Sequence, residues 1–126
     1  MEDNKIIEDS IAYIEANIHN QLMLKDIADY AGYSEYHFSR MFKRYMGISI
    51  MRFVRRRRLV KAAEDILNGD RIIDVAMKYG YQSHSGFTKA FKSEFGFSPV
   101  FIRVKVFMRG GSVMNYIHRN QYSACA

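Results

Sequence analysis

The chain has few of the features from which enzymes, secreted domains and membrane proteins are built. Its one cysteine, Cys125, excludes an internal disulfide framework and a zinc-binding thiolate cluster, which fits a reducing compartment. No apolar run approaches the roughly 18 residues a membrane span needs, and the polar, acidic start from Met1 to Lys5 is not a secretory signal. A cytoplasmic protein is expected. The four histidines, His19, His37, His84 and His118, lack metal-ligand spacing. With no Ser/His/Asp set, paired carboxylates or phosphate-binding loop, neither enzymatic activity nor a cofactor is expected. A length of 126 residues bounds the chain to one ordinary domain or two very small ones sharing a core. The single proline and 48% hydrophobic content exclude a wholly disordered chain.

Acidic residues are the next scarcity, because they are confined mostly to one end. Residues 1–35 hold eight acids and two lysines, whereas residues 36–126 hold five acids and seventeen Lys/Arg. Between Tyr36 and Lys61 stand nine bases (Arg40, Lys43, Arg44, Arg52, Arg55, Arg56, Arg57, Arg58 and Lys61) and no acid. Such a block attracts a polyanion, nucleic acid first, with a membrane surface or a merely solvated face as the other readings.

Apolar spacing then defines helices. Ile7, Ile11, Ile14 and Ile18 follow the i, i+4, i+7, i+11 pattern of a first helix, with Asp3 or Asn4 as its cap. A short helix is predicted over Leu24 to Ala31, burying Leu24, Ile27, Ala28 and Ala31 and ending at Gly32. Ser34 caps a third helix to about Met46, whose apolar stripe is Phe38, Met41, Phe42 and Tyr45. Two helices joined by a short glycine-containing turn form the helix-turn-helix pattern. After Gly47, with Ser49 as cap, Ile50 to Asn68 reads as one long helix with Phe53, Leu59, Ala62, Ala63 and Ile66 inward, roughly 27 Å in length.

Beyond Asp70, the expected next cap, the pattern returns. Asp26, Ile27, Ala28, Gly32 and Tyr33 recur 48 residues later as Asp74, Val75, Ala76, Gly80 and Tyr81. One extra residue in the second turn shifts the offset to 49, so that Phe38, Arg40, Phe42, Lys43, Gly47 and Ser49 recur as Phe87, Lys89, Phe91, Lys92, Gly96 and Ser98. The expected architecture is all-α: a first helix-turn-helix unit at 1–48, a linking helix at 49–69, a second unit at 70–103, and a tail at 104–126 without a structural assignment. Ile102, Val104 and Val106 alternate with Arg103 and Lys105, the pattern of a starting strand or of a frayed end.

A helix-turn-helix lays its second helix in the major groove, and successive grooves on one face recur about every 34 Å. On the first such helix Tyr36, Ser39, Arg40, Lys43 and Arg44 face outward; on the second, His84, Ser85, Thr88, Lys89 and Lys92 do so. Arg40 is the leading candidate for base contact, since arginine makes the bidentate guanine contact, and Lys43 and Arg44 lie nearer the backbone. Lys89, a point donor, and Gly86, a helix-weakening residue, make the second unit the weaker reader. Ser83 is the expected cap of that helix. Four consecutive arginines, Arg55 to Arg58, fan around the long helix and cannot all touch one surface. Either one or two of them meet the DNA backbone or RNA polymerase, or they form ion pairs with acids such as those of the first helix or are simply solvated.

The stretches IADYAGYSEYHFSRMFKRYMGIS, RRRRLVKAAEDIL and VAMKYGYQSHSGFTKAFKSEFGFSP, ending in Arg103, resemble the DNA-binding domain of AraC/XylS-type regulators. The resemblance implies about seven helices, with recognition helices at Ser34 to Met46 and Ser83 to Phe95. It also implies sequence-specific promoter binding, usually with activation. Carried over by position, base reading falls on Tyr36, Ser39, Arg40, His84, Ser85, Thr88 and Lys89, and phosphate contact on Lys43 and Lys92. Ile50 stands where the family often has proline and Ile102 where it usually has an aromatic. Both are apolar exchanges expected to be tolerated. The expectation is therefore a transcription regulator in a bacterial cytoplasm, binding an asymmetric double-stranded promoter site as a monomer. RNA polymerase is a further candidate partner, and neither a membrane nor an obligate oligomer is expected. A protein-interaction module, or the DNA-binding part of a longer effector-sensing regulator, are the alternatives.

Overall fold

The computed structural model describes residues 2–103. Six helices follow in order: α1 Glu2–Ala16, α2 Leu24–Ala31, α3 Glu35–Met46, α4 Ile50–Leu67, α5 Ile72–Lys78 and α6 His84–Phe95. A seventh helical segment occupies 99–103, and no strand occurs among the described residues. The all-α expectation holds. Residues 104–126, and with them the tail, lie outside the described residues. Ile102, read as the possible start of a strand, is helical and fully buried.

The chain divides into two compact units between Arg57 and Arg58. The cut falls inside α4, so the long helix lends its first two turns to one unit and the rest to the other.

In the first unit Ile7, Ile14, Ile27, Phe38, Phe42 and Phe53 are buried essentially completely, gathering α1, α2, α3 and the start of α4 around one core. Full burial of one such side chain is worth about 1.5–3 kcal/mol, which is how helices of 8 and 12 residues, marginal in isolation, become stable. Phe42 meets Phe53 edge to face at 5.5 Å and Phe38 at 6.0 Å. Ser10, a polar residue in the apolar face of α1, is buried because its hydroxyl donates to the Ile6 carbonyl at 2.8 Å. α1 starts at Glu2, so Asp3 and Asn4 are helical residues rather than its cap; acids at that end favour the helix by meeting its positive dipole.

The second unit repeats the plan with Leu59, Ala62, Ala63 and Ile66 of α4, Val75 and Ala76 of α5, Phe87, Phe91 and Phe95 of α6, and Ile102. Phe91 takes Phe95 edge to face at 4.7 Å. Arg103 ties the last segment to the end of α4, donating to the carbonyls of Ile66 (3.4 Å) and Asp70. Asp65, near the C-terminal end of α4, accepts from the Tyr79 hydroxyl at 2.8 Å and from Lys78 Nζ at 2.9 Å. Burial first, and that bond second, push the Tyr79 phenol well above its usual range. Asp70 does not cap α5: the cap position is Arg71, without a side-chain bond.

Candidate nucleic-acid interface

The repeat legible in the residues is also a repeat of backbone bonds. Gly32 N–H donates to Asp29 O and Tyr33 N–H to Ala28 O, at 3.1 and 3.0 Å. In the second unit Gly80 N–H donates to Met77 O and Tyr81 N–H to Ala76 O, also at 3.1 and 3.0 Å. Both glycines adopt the left-handed region, with φ of 83° and 89°, where a side chain is strained. That requirement is why glycine recurs in each turn.

The second helix of each unit is then built identically. Ser34 Oγ accepts from His37 N–H and Ser83 Oγ from Gly86 N–H, at 3.1 and 3.0 Å, so each serine is the N-cap expected of it. Each helix has 12 residues and stops at a glycine, Gly47 or Gly96. Phe38 and Phe42 in one, Phe87 and Phe91 in the other, are fully buried. The opposite face is left for solvent or a partner.

On α3 that face carries Tyr36, 71% exposed, with Arg40, Lys43 and Arg44 exposed and Ser39 half-buried. Ser39, Arg40, Lys43 and Arg44 line one shallow depression. Tyr45, expected in the apolar stripe, is 45% exposed; the stripe of α3 closes with Phe38, Met41 and Phe42, and a tyrosine can leave its polar end in water. On α6 the corresponding face carries His84, Ser85, Lys89 and Lys92, all exposed, and a half-buried Thr88. The hydroxyl of Thr88 lies 3.5 Å from His84 Nδ1. Each group of expected reading residues thus shares one helix face within its own unit.

The arginine run divides. Arg57 is buried and paired with Glu15 of α1, and Arg56 is buried, whereas Arg55 is exposed and Arg58 half-buried. Of the two readings of this run, the ion pair with the N-terminal helix describes Arg57. Residue reasoning missed the coupling of Tyr36 to Arg40, whose Nη1 donates to the Tyr36 hydroxyl at 2.9 Å. The signal was their i, i+4 spacing, which puts two side chains one above the other on a helix. Among the described residues no group of three His, Cys, Asp or Glu side chains could hold a metal ion, and no helix is long and apolar enough to cross a membrane.

Comparison with known proteins accords with this geometry. A family model described as a helix-turn-helix domain matches residues 27–103. The chain is 36% identical over 102 residues to the HTH-type transcriptional activator AarP of Providencia stuartii, a match covering 80% of this chain and 76% of that one. It is 33% identical over 101 residues to the probable transcription factor PqrA of Proteus vulgaris, covering 78% and 83%. Among solved structures, a transcriptional regulator from Chromobacterium violaceum, of the proteins containing an AraC-type DNA-binding domain, superposes with a TM-score of 0.79 at 25% identity, over 85% of this chain and 96% of that one. The C-terminal domain of AraT, a response regulator from Geobacillus stearothermophilus, gives 0.69 at 31% identity, over 79% and 84%. With the paired turns, caps and cores in place and these matches spanning both units, the chain belongs to the AraC-type family of helix-turn-helix, DNA-binding transcription regulators.

Proposed function

We propose that the chain is an activator in the bacterial cytoplasm, without enzymatic activity of its own. One copy engages two consecutive major grooves of an asymmetric promoter site. Tyr36, Ser39 and Arg40 of α3, and His84, Ser85, Thr88 and Lys89 of α6, meet base edges; Lys43, Arg44 and Lys92 meet phosphates. Activation then involves contact with RNA polymerase. The observation that carries this reading is that one chain holds two second helices of equal length, alike in cap and core and different at almost every outward position. A single-unit protein must dimerise on a near-palindromic site to read two grooves. Two dissimilar helices in one chain need neither the dimer nor the palindrome. The activator AarP supports the sign of regulation by its name.

Selection from a randomised duplex pool tests the reading, followed by sizing of the complex on the winning site. An asymmetric two-box motif with one protein per duplex is expected. Inserting about 5 bp between the boxes turns the second box to the opposite face and abolishes tight binding. A palindromic consensus, two chains per site, or indifference to the insertion would sink the two-groove reading.

A further inference from the structure

Tyr36 is the most exposed large hydrophobic side chain described for the chain, and it stands one turn before Arg40. The guanidinium of Arg40 is held at that ring in two ways: Nη1 donates to the hydroxyl at 2.9 Å, and Cζ lies 5.4 Å from the ring centroid, within cation–π range. A long side chain on an exposed helix face otherwise samples many rotamers, and that freedom is lost when it grips a base. A guanidinium has five N–H donors. The bond to Tyr36 takes one and leaves the Nε and Nη2 edge, which suffices for a bidentate contact to O6 and N7 of guanine. The hydroxyl of Tyr36, already accepting from a cation, keeps its own O–H free to donate.

We infer that Tyr36 is a positioning residue, whose hydroxyl holds Arg40 in a reading conformation before DNA arrives. The inference rests on the base-reading role proposed for Arg40. On α6 the counterparts of Tyr36 and Arg40 are Ser85 and Lys89, and the i, i+4 pair described there, His84 with Thr88, holds no guanidinium. Serine is too short to reach a side chain one turn on in this way, and lysine has no planar fork to orient.

The test uses the whole chain and duplexes carrying the selected site, with each guanine of the first box replaced in turn by 7-deazaguanine, which lacks the N7 acceptor. The readout is the ratio of affinities for the natural and substituted duplex in the wild type, Tyr36→Phe, Arg40→Ala and the double variant. Tyr36→Phe keeps the ring and removes only the hydroxyl. It is expected to lower the ratio at one guanine roughly threefold to tenfold, the cost of ordering one long side chain on binding. In the Arg40→Ala background it should change nothing further. In the free protein, ¹⁵N spectra should show faster rotation about the Arg40 Nε–Cζ bond after Tyr36→Phe. An unchanged ratio in Tyr36→Phe, where Arg40→Ala collapses it, would overturn the positioning role and leave base reading standing. An equal loss with and without Arg40 would leave Tyr36 only the direct base contact proposed for it above and overturn the positioning role. If Arg40→Ala leaves every ratio unchanged, base reading fails and the positioning role falls with it.

Discussion

The two helix-turn-helix units share a scaffold and differ in what they display. Turn bonds, N-cap serines, paired phenylalanines and terminal glycines recur from one unit to the other. The outward residues do not: α3 carries a tyrosine–arginine couple, and α6 a histidine, a serine, a glycine and a lysine. Packing tolerates little change where side chains interdigitate, whereas a helix face in water is free to vary. The repeat thus keeps its packed positions and varies where its second helices meet water.

The largest expected effect tests whether the cores are equivalent. Phe42→Ala and Phe91→Ala each delete a fully buried ring and should each cost about 3–5 kcal/mol. Denaturant unfolding measures the cost, and amide exchange should show the loss of protection concentrated in the unit that carries the change. A cost below about 1 kcal/mol in either unit would mean that the two cores are not equally packed.

The display faces should respond unequally. On the preferred site Arg40→Ala is expected to cost about 1–3 kcal/mol, with little loss on random DNA, while Lys89→Ala, which removes a point donor, should cost less there and separate the two duplexes by less. Binding titrations on the two duplexes, with denaturation as a folding control, decide this. Equal and uniform losses would erase the asymmetry between strong and weak reader.

Asp65, Tyr79 and Lys78 give the second unit a polar clasp, and Tyr79→Phe should cost about 1.5 kcal/mol through loss of a bond to a charged group. Because folding raises the phenol above its ordinary value of about 10, the stability it provides is fully present below that pH. It is lost as pH rises beyond, when the unfolded chain ionises first. The wild type should therefore lose its advantage over Tyr79→Phe in strongly alkaline solution. Parallel stability curves for the two proteins would refute this.

The smallest effect concerns Gly86. Alanine there gains up to ~1 kcal/mol of helix propensity, but its Cβ would lie 3.3 Å from Ser83 Oγ, the helix cap. A net gain of a few tenths of a kcal/mol is expected, read as a raised midpoint of thermal unfolding. A loss would mean that Ser83 cannot give way without releasing its bond.

Much of this was legible in the residues because it depends on local chemistry. Ser34, Ser49 and Ser83 each accept a backbone N–H as a cap should, and Phe53, Leu59, Ala62, Ala63 and Ile66 lie inward on α4 as their spacing implied. The failures fall where neighbours compete. Asp70 and Arg71 both border α5, and an aspartate is the better cap in isolation, yet the helix begins one residue later and leaves the cap position to Arg71. Tyr45 has helical spacing with the core stripe but lies beyond it.

By itself the sequence determined the helices, the two turns and the division of each second helix into a buried and a displayed face, because periodicity, caps and glycine conformation act over a few residues. Only the tertiary structure decided the fate of the arginines and of Tyr36. Four arginines in a row are indistinguishable as a run, and which of them can be buried depends on what packs against each side of α4. Arg57 is taken inside by Glu15, forty-two positions away, and Arg55 stays in water. Tyr36 and Arg40 have the spacing to meet, but whether a tyrosine four residues before an arginine packs inward or stands up to hold it depends on which helix face the core has already claimed.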